Sequence, residues 1–366
     1  MCTFESTYVL QLYTYVKKYH PNVKYSLFTQ DKVKEYYYSN LMLEEGEKIY
    51  SFGNHEYLCG VEALKLPHFD IIHSLWMERF WGVFAGIFKK KCDAWFCSVG
   101  GSDLYRDSNK VIYYFLQKRI VKRATWISSE GEATKAYFEK KYANICKGIP
   151  HSIIRFGVDI LDSFSYISTV DTNIIKEKYG VSKNKIVVMC GTNARKEHQH
   201  IQMLNAIWRL PENIRNNICL LIPMTYGGYD EYIEQISMRA CDVAETVVLT
   251  NFLSTDEMAE IASITDIMIH VQTTDQLSSA MLSHMYCGNV VIAGSWLPYE
   301  ELRQKGVKFI SVEKIEDISI KIADVINDID NYKNQYVGNK EIIYTLSSWE
   351  KSSADWYKVY RGLVMI

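Results

Sequence analysis

Short apolar runs alternate with amphipathic helical patterns, most clearly between residues 264 and 303. The run 267–271 has the length and β-branched content of a strand, and a polar segment, 272–276, follows it. Apolar residues then recur at helical spacing until Cys287-Gly288, where the glycine predicts the end of a helix. A second apolar run, 290–293, completes a strand–loop–helix–strand order. This order predicts a parallel βαβ unit, and such units bind phosphates and nucleotides at the loop after the first strand.

The same alternation predicts strands in both halves of the chain, which is typical of α/β proteins. Further strands are predicted at residues 24–28, 48–52, 69–73, 94–99, 124–129, 185–191, 218–223, 246–250 and 307–310. Near the N-terminus, Tyr8, Leu12, Tyr15 and Val16 form a helical stripe. Little room is left before this stripe for a buried strand, so a first strand is either a stub or lies upstream.

Length and composition limit the class of protein. With 366 residues, of which 48% are hydrophobic and 23% charged, the chain fits a soluble protein of two domains. The formal net charge of −2 gives no overall attraction to nucleic acid, and no basic stripe supports nucleic-acid binding. Nine scattered cysteines include no C-x-x-C pair, which favours reduced thiols in the cytoplasm over disulfides or a zinc site. No apolar run approaches the ~18–20 residues of a membrane-spanning helix, and we predict no metal or cofactor.

Two cations follow the strand that opens the second half of the chain. Gly191 ends this strand and Thr192 follows it, while Arg195 and Lys196 precede the next helical pattern. Two cations in a loop beyond the carboxyl end of a strand can bind an anionic ligand. The alternative interpretation is a solvated start of a helix.

Polar residues also end two strands of the first half. His73 ends the strand 69–73, and the segment 100–103, Gly-Gly-Ser-Asp, follows another strand, with Arg106 close behind. The two glycines allow a backbone to approach a ligand closely, and Asp103 and Arg106 add opposite charges beside it. The alternative for this segment is a turn that is capped by Asp103.

Several of these segments together resemble the GT-B glycosyltransferases, particularly family 4 and its bacterial surface-polysaccharide relatives. The matching segments are Phe69-Asp70-Ile71-Ile72-His73, the Gly-Gly-Ser-Asp segment, residues 124–129, residues 151–159, Asp266 and the stretch SHMYCGNVVIAG at 283–294. The resemblance implies an α/β protein of the GT-B fold, with two Rossmann-like domains whose parallel sheets face a central cleft. It implies an acceptor-binding domain at 1–160, a nucleotide-sugar domain at 161–344, and a C-terminal helix at 345–366 that packs back onto the first domain.

The resemblance also implies roles for individual residues. The implied donor-binding residues are Gly191, Thr192, Asn251, Phe252, Asp275, Gln276, Leu277, Ser278 and Ser283. The implied acceptor-binding residues are Gly100, Gly101, Ser102 and Arg106, and the implied catalytic residues are His73, Asp103, Arg195 and Lys196. Asp275 conservatively replaces the first acidic residue of the family's E-x7-E pattern, whereas Ser283 replaces the second. His73 or Asp103 would be the base in an inverting enzyme, and a retaining enzyme would need none.

The implied activity is transfer of a sugar from a nucleotide-diphosphate sugar to a saccharide acceptor, polyprenyl-linked, in bacterial capsule, exopolysaccharide or O-antigen synthesis. The aromatic and basic segment 76–91 suggests contact with the inner face of the cell membrane; the alternative is a core-facing helix with a cationic end. Ser283, together with Thr192 at a position where the family has Arg, supports a second hypothesis, a catalytically inactive partner of another glycosyltransferase. An epimerase of the same fold has no distinguishing residue pattern here.

Overall fold

The computed structural model describes residues 7–38, 41–105 and 109–365. The chain forms two compact units, Met1–Gly157 with Trp349–Ile366, and Val158–Ser348. The division falls between Gly157 and Val158, whereas the boundary predicted from the sequence is residue 160. The predicted stub of a first strand concerns residues 1–6, which lie outside the described residues.

The first unit contains a parallel four-stranded sheet and a separate parallel pair of strands. Its strands are β1 (Leu27–Thr29), β2 (Ile49–Ser51), β3 (Phe69–Leu75), β4 (Cys92–Ser98), β5 (Trp126–Ser129) and β6 (His151–Ile153). β1 pairs with β2, and β3 to β6 lie side by side in chain order. The helices are α1 (Thr7–Tyr19), α2 (Asp31–Tyr37), α3 (Glu56–Lys65), α4 (Arg79–Val83), α5 (Ala85–Lys89), α6 (Gly101–Tyr105), α7 (Val111–Val121), α8 (Glu132–Lys141) and α9 (Ala143–Cys146).

The second unit contains a six-stranded sheet in which all neighbouring strands are parallel. Its strands are β7 (Ile186–Cys190), β8 (Ile218–Pro223), β9 (Glu245–Leu249), β10 (Ile267–His270), β11 (Val290–Gly294) and β12 (Ile310–Val312), in the order β12-β11-β10-β7-β8-β9. The helices are α10 (Ile160–Ile167), α11 (Thr172–Lys178), α12 (His200–Trp208), α13 (Glu212–Arg215), α14 (Asp230–Cys241), α15 (Thr255–Ile264), α16 (Ser279–Tyr286), α17 (Glu300–Gln304), α18 (Ile318–Asn327), α19 (Ile329–Tyr336) and α20 (Asn339–Ser347). Apart from the half-buried Ile186, the central strands β7 and β10 are buried, which is why they appear in the sequence as apolar runs.

The last helix, α21 (Trp349–Val364), belongs to the first unit and packs against α1. Trp356 of this helix is fully buried, and its ring centroid lies 5.7 Å from that of Phe96 on β4 and 5.3 Å from that of Phe156. The final helix therefore supplies a large part of the aromatic core beneath the four-stranded sheet.

The predicted strands are confirmed with small shifts of their ends, except at the first, where β1 covers Leu27–Thr29 instead of 24–28, and at the last. The sequence predicts a strand at 307–310, but β12 covers Ile310–Val312. The backbone N–H of Lys308 donates to Asn339 Oδ1 at 2.8 Å, and the Asn339 amide returns a 2.8 Å bond to the Lys308 carbonyl. A side chain thus takes the hydrogen-bonding groups that a neighbouring strand would otherwise use.

The segment 76–91 forms the short helices α4 and α5, so a single helix there is wrong. Gly82 and Gly86 lie within it, and glycine lowers helix stability. The large aromatic side chains Phe80, Trp81 and Phe88 are fully buried. These three side chains belong to the core, which agrees with the alternative of a core-facing segment, and the membrane contact suggested for 76–91 stays a prediction. None of the described helices is long and apolar enough to cross a membrane.

We predict that Trp356→Ala lowers the free energy of unfolding by about 3–5 kcal/mol, because it removes a large buried side chain and leaves a cavity. Urea denaturation of the purified protein measures the change. Val364→Ala on the same helix is the matched control, because Val364 is exposed and its truncation should cost little. An equal loss in both variants would contradict the anchoring role of Trp356.

Candidate active site

The candidate site of the second unit lies at the junction of the neighbouring strands β7 and β10. β7 pairs with β8 on one side and with β10 on the other, so the chain changes direction across the sheet at this pair. The loops after β7 and β10 therefore leave the same edge of the sheet and diverge there. Ligands of open parallel sheets bind at such a switch point, beyond the carboxyl ends of the strands.

Two hydrogen bonds join these two loops. The Thr273 N–H donates to the Glu197 carbonyl at 2.9 Å, and Gln199 Nε2 donates to the Val271 carbonyl at 2.6 Å. Gln199 has a φ of 61°, a left-handed conformation that is uncommon for a residue other than glycine. The contact between the loops thus holds Gln199 in a conformation of higher energy, which is a frequent feature of functional loops.

Gly191 allows the backbone after β7 to pass close to α12. Its φ is +72°, and a Cβ at this position would lie only 2.6 Å from Nε2 of the His200 ring. Both the backbone angle and the space therefore require glycine. The next residue, Thr192, places its hydroxyl 3.4 Å from Nε2 of His198, which is buried. Burial lowers the pKa of His198 to about 3, so this ring is neutral at physiological pH.

Arg195 and Lys196 lie in the loop after β7, and both side chains are exposed. The Arg195 stem packs against Gly227, where a Cβ would lie 2.6 Å from Arg195 Cγ. Lys196 Nζ lies 5.5 Å above the centre of the Tyr232 ring, a cation–π contact on α14. Neither cation forms an ion pair with any described residue, so both charges are available to an anionic ligand.

Asp275, in the loop after β10, is held through one of its two oxygens. Tyr299 donates its hydroxyl to Asp275 Oδ2, and His270 Nε2 lies 3.2 Å from the same oxygen. His270 Nε2 and Tyr299 Oη are 2.8 Å apart, and the Gln272 amide lies 3.2 Å from His270 Nε2. The Tyr299 and His270 side chains both contact Oδ2, so Oδ1 has no side-chain partner among the described residues and faces a possible ligand.

These bonds also set the charge of the carboxylate. Burial alone would raise the pKa of Asp275, but the hydrogen bond and attraction of the His270 ring, the Tyr299 hydroxyl and the Gln276 N–H outweigh it. The pKa of Asp275 therefore lies below its ordinary value. Burial and the neighbouring Asp275 raise the pKa of Tyr299 well above its ordinary value, so this phenol stays protonated and acts as the donor.

Buried polar atoms without partners lie next to this network. Gln276 is 8% exposed, and neither its amide oxygen nor its amide nitrogen has a hydrogen-bond partner within the described ranges. Nδ1 of the buried His270 ring likewise has none there. Buried polar groups are nearly always hydrogen-bonded in native proteins. Gln276 therefore fits a polar ligand, such as a sugar with several hydroxyl groups, bound beside Asp275.

The helix behind this loop begins at Ser279, and Ser278 caps it by accepting from the Met281 N–H at 3.2 Å. Leu277 packs against the core of the unit. Ser283 is buried, and its hydroxyl donates to the Ser279 carbonyl at 2.9 Å. The Ser283 hydrogen is thus committed to its own helix, and only the oxygen lone pairs remain for a ligand.

Asn251 and Phe252 follow β9 at the edge of the sheet, and both side chains are exposed. The predicted capping box follows them: the Ser254 hydroxyl accepts from the Glu257 N–H, and the Glu257 carboxylate accepts from the Ser254 N–H. β9 lies two strands from β7. Since Asp275 follows β10, on the other side of β7, Asn251 and Phe252 are well separated from it. Only an extended ligand could contact all three residues.

In the first unit, the Gly-Gly-Ser-Asp segment is largely the start of α6. Asp103 is buried, and its Oδ2 accepts from the backbone N–H groups of Met77 at 2.8 Å and Gly100 at 3.3 Å. Its carboxylate thus joins the loops after β3 and β4, which agrees with the capping alternative. Gly101 and Ser102 are half-buried, and Arg106 lies outside the described residues.

Gly100 is required by its neighbour Trp76. A Cβ at position 100 would lie 1.9 Å from the Trp76 indole, so only glycine fits there. Trp76 itself has a φ of 63°, which is unfavourable for a bulky residue. Its ring also makes an edge contact with Tyr8, with the centroids 6.0 Å apart. Half-buried aromatic rings thus lie beside the carboxyl end of β3.

His73 lies inside the first unit. Its Nδ1 is 2.9 Å from the Tyr360 hydroxyl of α21, and its Nε2 is 2.7 Å from the Ser98 hydroxyl. Its ring stacks on Phe96 at 4.3 Å, and burial holds its pKa well below the ordinary value. A neutral ring with both nitrogens engaged joins β3, β4 and the last helix, and this geometry favours a structural role.

The groups that the site offers to a ligand are thus carboxylate and hydroxyl oxygens, a side-chain amide and two cations. Among the described residues, no group of three or more His, Cys, Asp and Glu side chains is arranged to hold a metal ion. The two exposed cations, the half-buried carboxylate and the unpartnered amide suit a ligand that carries both phosphate and hydroxyl groups.

The fold is shared with solved glycosyltransferase structures. Sucrose-phosphate synthase from Thermosynechococcus elongatus is similar with a TM-score of 0.77 and 14% identity, over 97% of this chain and 92% of that one. HepE from Anabaena, solved with UDP, has a TM-score of 0.75 and 14% identity, over 99% and 98%. A glycosyltransferase from Rickettsia africae has a TM-score of 0.74 and 12% identity, over 100% and 97%. At these identities the likeness shows the fold, and the predicted α/β GT-B architecture is confirmed.

The fold that the chain shares with these structures is GT-B. Residues 171–341 match the model of the family described as glycosyl transferases group 1. This match and the shared fold together support a glycosyltransferase. No curated protein sequence matches the chain.

Sequence reasoning missed Tyr299, His270 and Trp296 as residues of the site. Trp296 donates its indole N–H to the Gln272 carbonyl at 2.8 Å, and Tyr299 follows three residues later. Both aromatic residues lie just after β11, at the same sheet edge as Asp275. The signals that could have identified them are a histidine inside an apolar strand and two aromatic residues directly after the next strand.

We predict that Tyr299→Phe lowers the free energy of unfolding by about 1–2 kcal/mol at neutral pH, because Asp275 loses a charge-assisted hydrogen bond. The folded-state pKa of Asp275 is lowered, so its stabilising contribution is complete above ~3.9, the unfolded value, and is lost as pH falls through the folded pKa. The difference between wild type and variant should therefore shrink in acid. Urea denaturation at neutral and acidic pH measures it.

Tyr229→Phe is the matched control, because the Tyr229 side chain is exposed and should lose nothing measurable. If Tyr299→Phe unfolds like wild type at neutral pH, the hydroxyl does not hold Asp275 in solution.

Proposed function

We propose that the second unit binds a nucleotide-diphosphate sugar and that the enzyme transfers this sugar to a saccharide acceptor. The observation that carries the proposal is that the loop after β7, with Gly191 and Arg195, is hydrogen-bonded to the loop after β10, which holds Asp275. This junction combines close backbone approach, a cation without an ion pair among the described residues, and a carboxylate with one oxygen that no described side chain contacts. Solved structures of HepE contain UDP and UDP-glucose, so UDP sugars are the first donors to test.

Arg195 and Lys196 stabilise the departing diphosphate. When the bond between the anomeric carbon and the phosphate oxygen breaks, negative charge develops on that oxygen. Fixed cations lower the energy of this state more than that of the bound substrate. The N-terminus of α16, capped by Ser278, adds partial positive charge on the same sheet edge.

Asp275 and Gln276 bind the hydroxyl groups of the donor sugar. Oδ1 of Asp275 accepts from one hydroxyl, and the buried amide of Gln276 both donates and accepts. The Gln276 amide and Asp275 Oδ1 then each gain a hydrogen-bond partner from the sugar. Since these bonds form only when a sugar is present, they separate the recognition of the sugar from that of the nucleotide.

The nucleoside extends from the diphosphate toward Ser283 and the loop after β9. The oxygen of Ser283 accepts a hydrogen bond from ribose, which is weaker than the charge-assisted bonds of a glutamate. Asn251 and Phe252 contact the base, where the exposed ring of Phe252 offers a face for stacking. This assignment follows the implied roles of these residues.

The transfer proceeds with retention at the anomeric carbon. The two candidate bases, His73 and Asp103, are both buried and hydrogen-bonded within the first unit. In a retaining route the acceptor hydroxyl attacks the anomeric carbon and its proton passes to the departing phosphate oxygen. This route needs no protein base, so it agrees with the engagement of both groups.

The acceptor is a polyprenyl-linked saccharide of bacterial capsule, exopolysaccharide or O-antigen synthesis, used at the cytoplasmic face of the membrane. Support comes from the resemblance of the sequence to surface-polysaccharide glycosyltransferases. The aromatic rings of Trp76 and Tyr8, beside Gly100, offer half-buried faces at the carboxyl end of β3 in the first unit. Such rings suit the apolar faces of sugar rings.

The second candidate function is a catalytically inactive partner of another glycosyltransferase. The observation that favours it is Ser283, whose hydrogen is committed to its own helix at a position where the family has a ribose-binding glutamate. A protein of this kind would keep the fold but bind no nucleotide sugar. Direct measurement of nucleotide binding distinguishes the two candidates.

We predict that one nucleoside diphosphate raises the melting temperature in a screen of UDP, GDP, TDP, CMP and their common sugar conjugates. A ligand that binds only the folded state stabilises it by mass action. Asp275→Asn should keep the shift with the free nucleoside diphosphate and lose the additional shift with its sugar conjugate. No shift with any ligand at saturating concentration would make the inactive partner the better interpretation.

We further predict that the double variant Arg195→Ala and Lys196→Ala lowers turnover by ~10²-fold, the usual scale for such electrostatic groups. Release of nucleoside diphosphate from the donor that the screen identifies measures turnover. Lys321→Ala is the control, because Lys321 lies on α18 in a surface ion pair with Asp324. Unchanged kinetics in the double variant would remove both cations from the mechanism.

A further inference from the structure

Helix α7 exposes large apolar side chains to solvent. The exposed fractions of Val111, Ile112 and Phe115 are 73%, 62% and 59%. The side of the helix that faces the core is formed by other residues, namely Gln117, Ile120 and Val121. The exposed apolar residues are therefore additional to those that hold the helix in place, and folding of the first unit does not require them.

Three cations lie on the same side of the helix as the exposed apolar residues. They are Lys118, Arg119 and Lys122, which follow Phe115 by three, four and seven positions, and such spacings share one side of a helix. We call Val111, Ile112, Phe115, Lys118, Arg119 and Lys122 together the α7 face. The stretch 109–129 contains five Lys or Arg residues and no Asp or Glu, so its charge is entirely positive.

Acidic side chains do not neutralise this charge. Lys118 Nζ lies 5.2 Å above the centre of the Tyr114 ring, and Arg119 donates to the Val83 carbonyl of the neighbouring α4 at 3.2 Å. Lys118, Arg119 and Lys122 form no ion pair with any residue in the described ranges. The α7 face thus combines unneutralised positive charge with exposed apolar surface, although the net charge of the whole chain is −2.

We propose that the α7 face binds the surface of an anionic lipid bilayer. Val111, Ile112 and Phe115 would enter the boundary between headgroups and acyl chains, while the cations remain at the level of the lipid phosphates. Helices that lie in the membrane interface have this division into an apolar part and a basic part. Long Lys and Arg side chains keep their charges in the headgroup layer while their stems cross apolar surface.

The charge distribution favours a lipid surface over the other occupants of such a face. A symmetric contact between two copies of the chain would bring the cations of one α7 face near those of the other, which is repulsive. A nucleic acid would use the cations but would leave three large apolar side chains in water. An anionic bilayer satisfies both parts. The inference gives the proposed acceptor a physical location, but it does not require that the chain transfer sugar.

The test is flotation of the full chain with vesicles, which needs no enzymatic activity. Vesicles of phosphatidylcholine alone are compared with equimolar phosphatidylcholine and phosphatidylglycerol, at low and high salt. We expect binding to the anionic vesicles only, and weaker binding at high salt because the charges are screened. Phe115→Glu, and separately Lys118→Glu with Lys122→Glu, should each lower the bound fraction by about tenfold or more.

Ile320→Glu is the matched control, because Ile320 is also 59% exposed on a helix, α18 of the second unit. It should bind vesicles like wild type, and all variants should keep the wild-type melting temperature because the changed side chains are exposed. The proposal is overturned if wild type does not float with anionic vesicles, or if the α7 variants float as well as Ile320→Glu. A smaller apparent mass of Phe115→Glu on size exclusion would also overturn it, because a second copy of the chain would then cover the face. The nucleotide screen on the same samples reports the donor site separately.

Discussion

One oxygen of Asp275 accepts a hydrogen bond from the Tyr299 hydroxyl and lies beside the ring nitrogen of His270, and the proposed donor site of the second unit depends on this arrangement. The loop after β7 contains only one turn of 3-10 helix, Lys196–His198, and the loop after β10 contains neither helix nor strand, so side chains must fix their shape. The network ties the loop after β10 to the segment after β11, and thus joins neighbouring strands at one sheet edge. Because both bonds use Oδ2, the orientation of Oδ1 is set before a ligand arrives. Such preorganisation reduces the conformational entropy that the side chains of the site lose when a ligand binds.

The sequence was sufficient for the architecture because buried parallel strands are apolar on both faces. Val290 to Gly294 and Ile218 to Pro223 appear as uninterrupted runs, and the structure places strands there. Local signals also worked where the chemistry is local, as in the capping box of Ser254 and Glu257. The position of Asp275 at a strand end followed from the same reasoning. These features depend on neighbours in sequence, which a single chain displays directly.

The rest depended on partners that are distant in sequence. His73 contacts Tyr360 from the other end of the chain, and no local pattern indicates that this ring is buried. Tyr299 reaches Asp275 across 24 positions. In the segment 76–91, apolar spacing fits either a membrane surface or a core, and only the packing of α4 and α5 decides between them. The positive charge around α7 can be read from the sequence, but the exposure of its apolar residues is visible only in the structure.

Trp76 and Gly100 belong to different loops of the first unit, yet each limits the residues that the other position accepts. The indole fills the volume in which any side chain at position 100 would begin. The two positions are therefore epistatic, and the effect of a change at one depends on the residue at the other. A larger residue at position 100 becomes possible only after Trp76 has been exchanged for a smaller one. Directed evolution of this part of the enzyme would consequently have to follow an order, with position 76 changed before position 100.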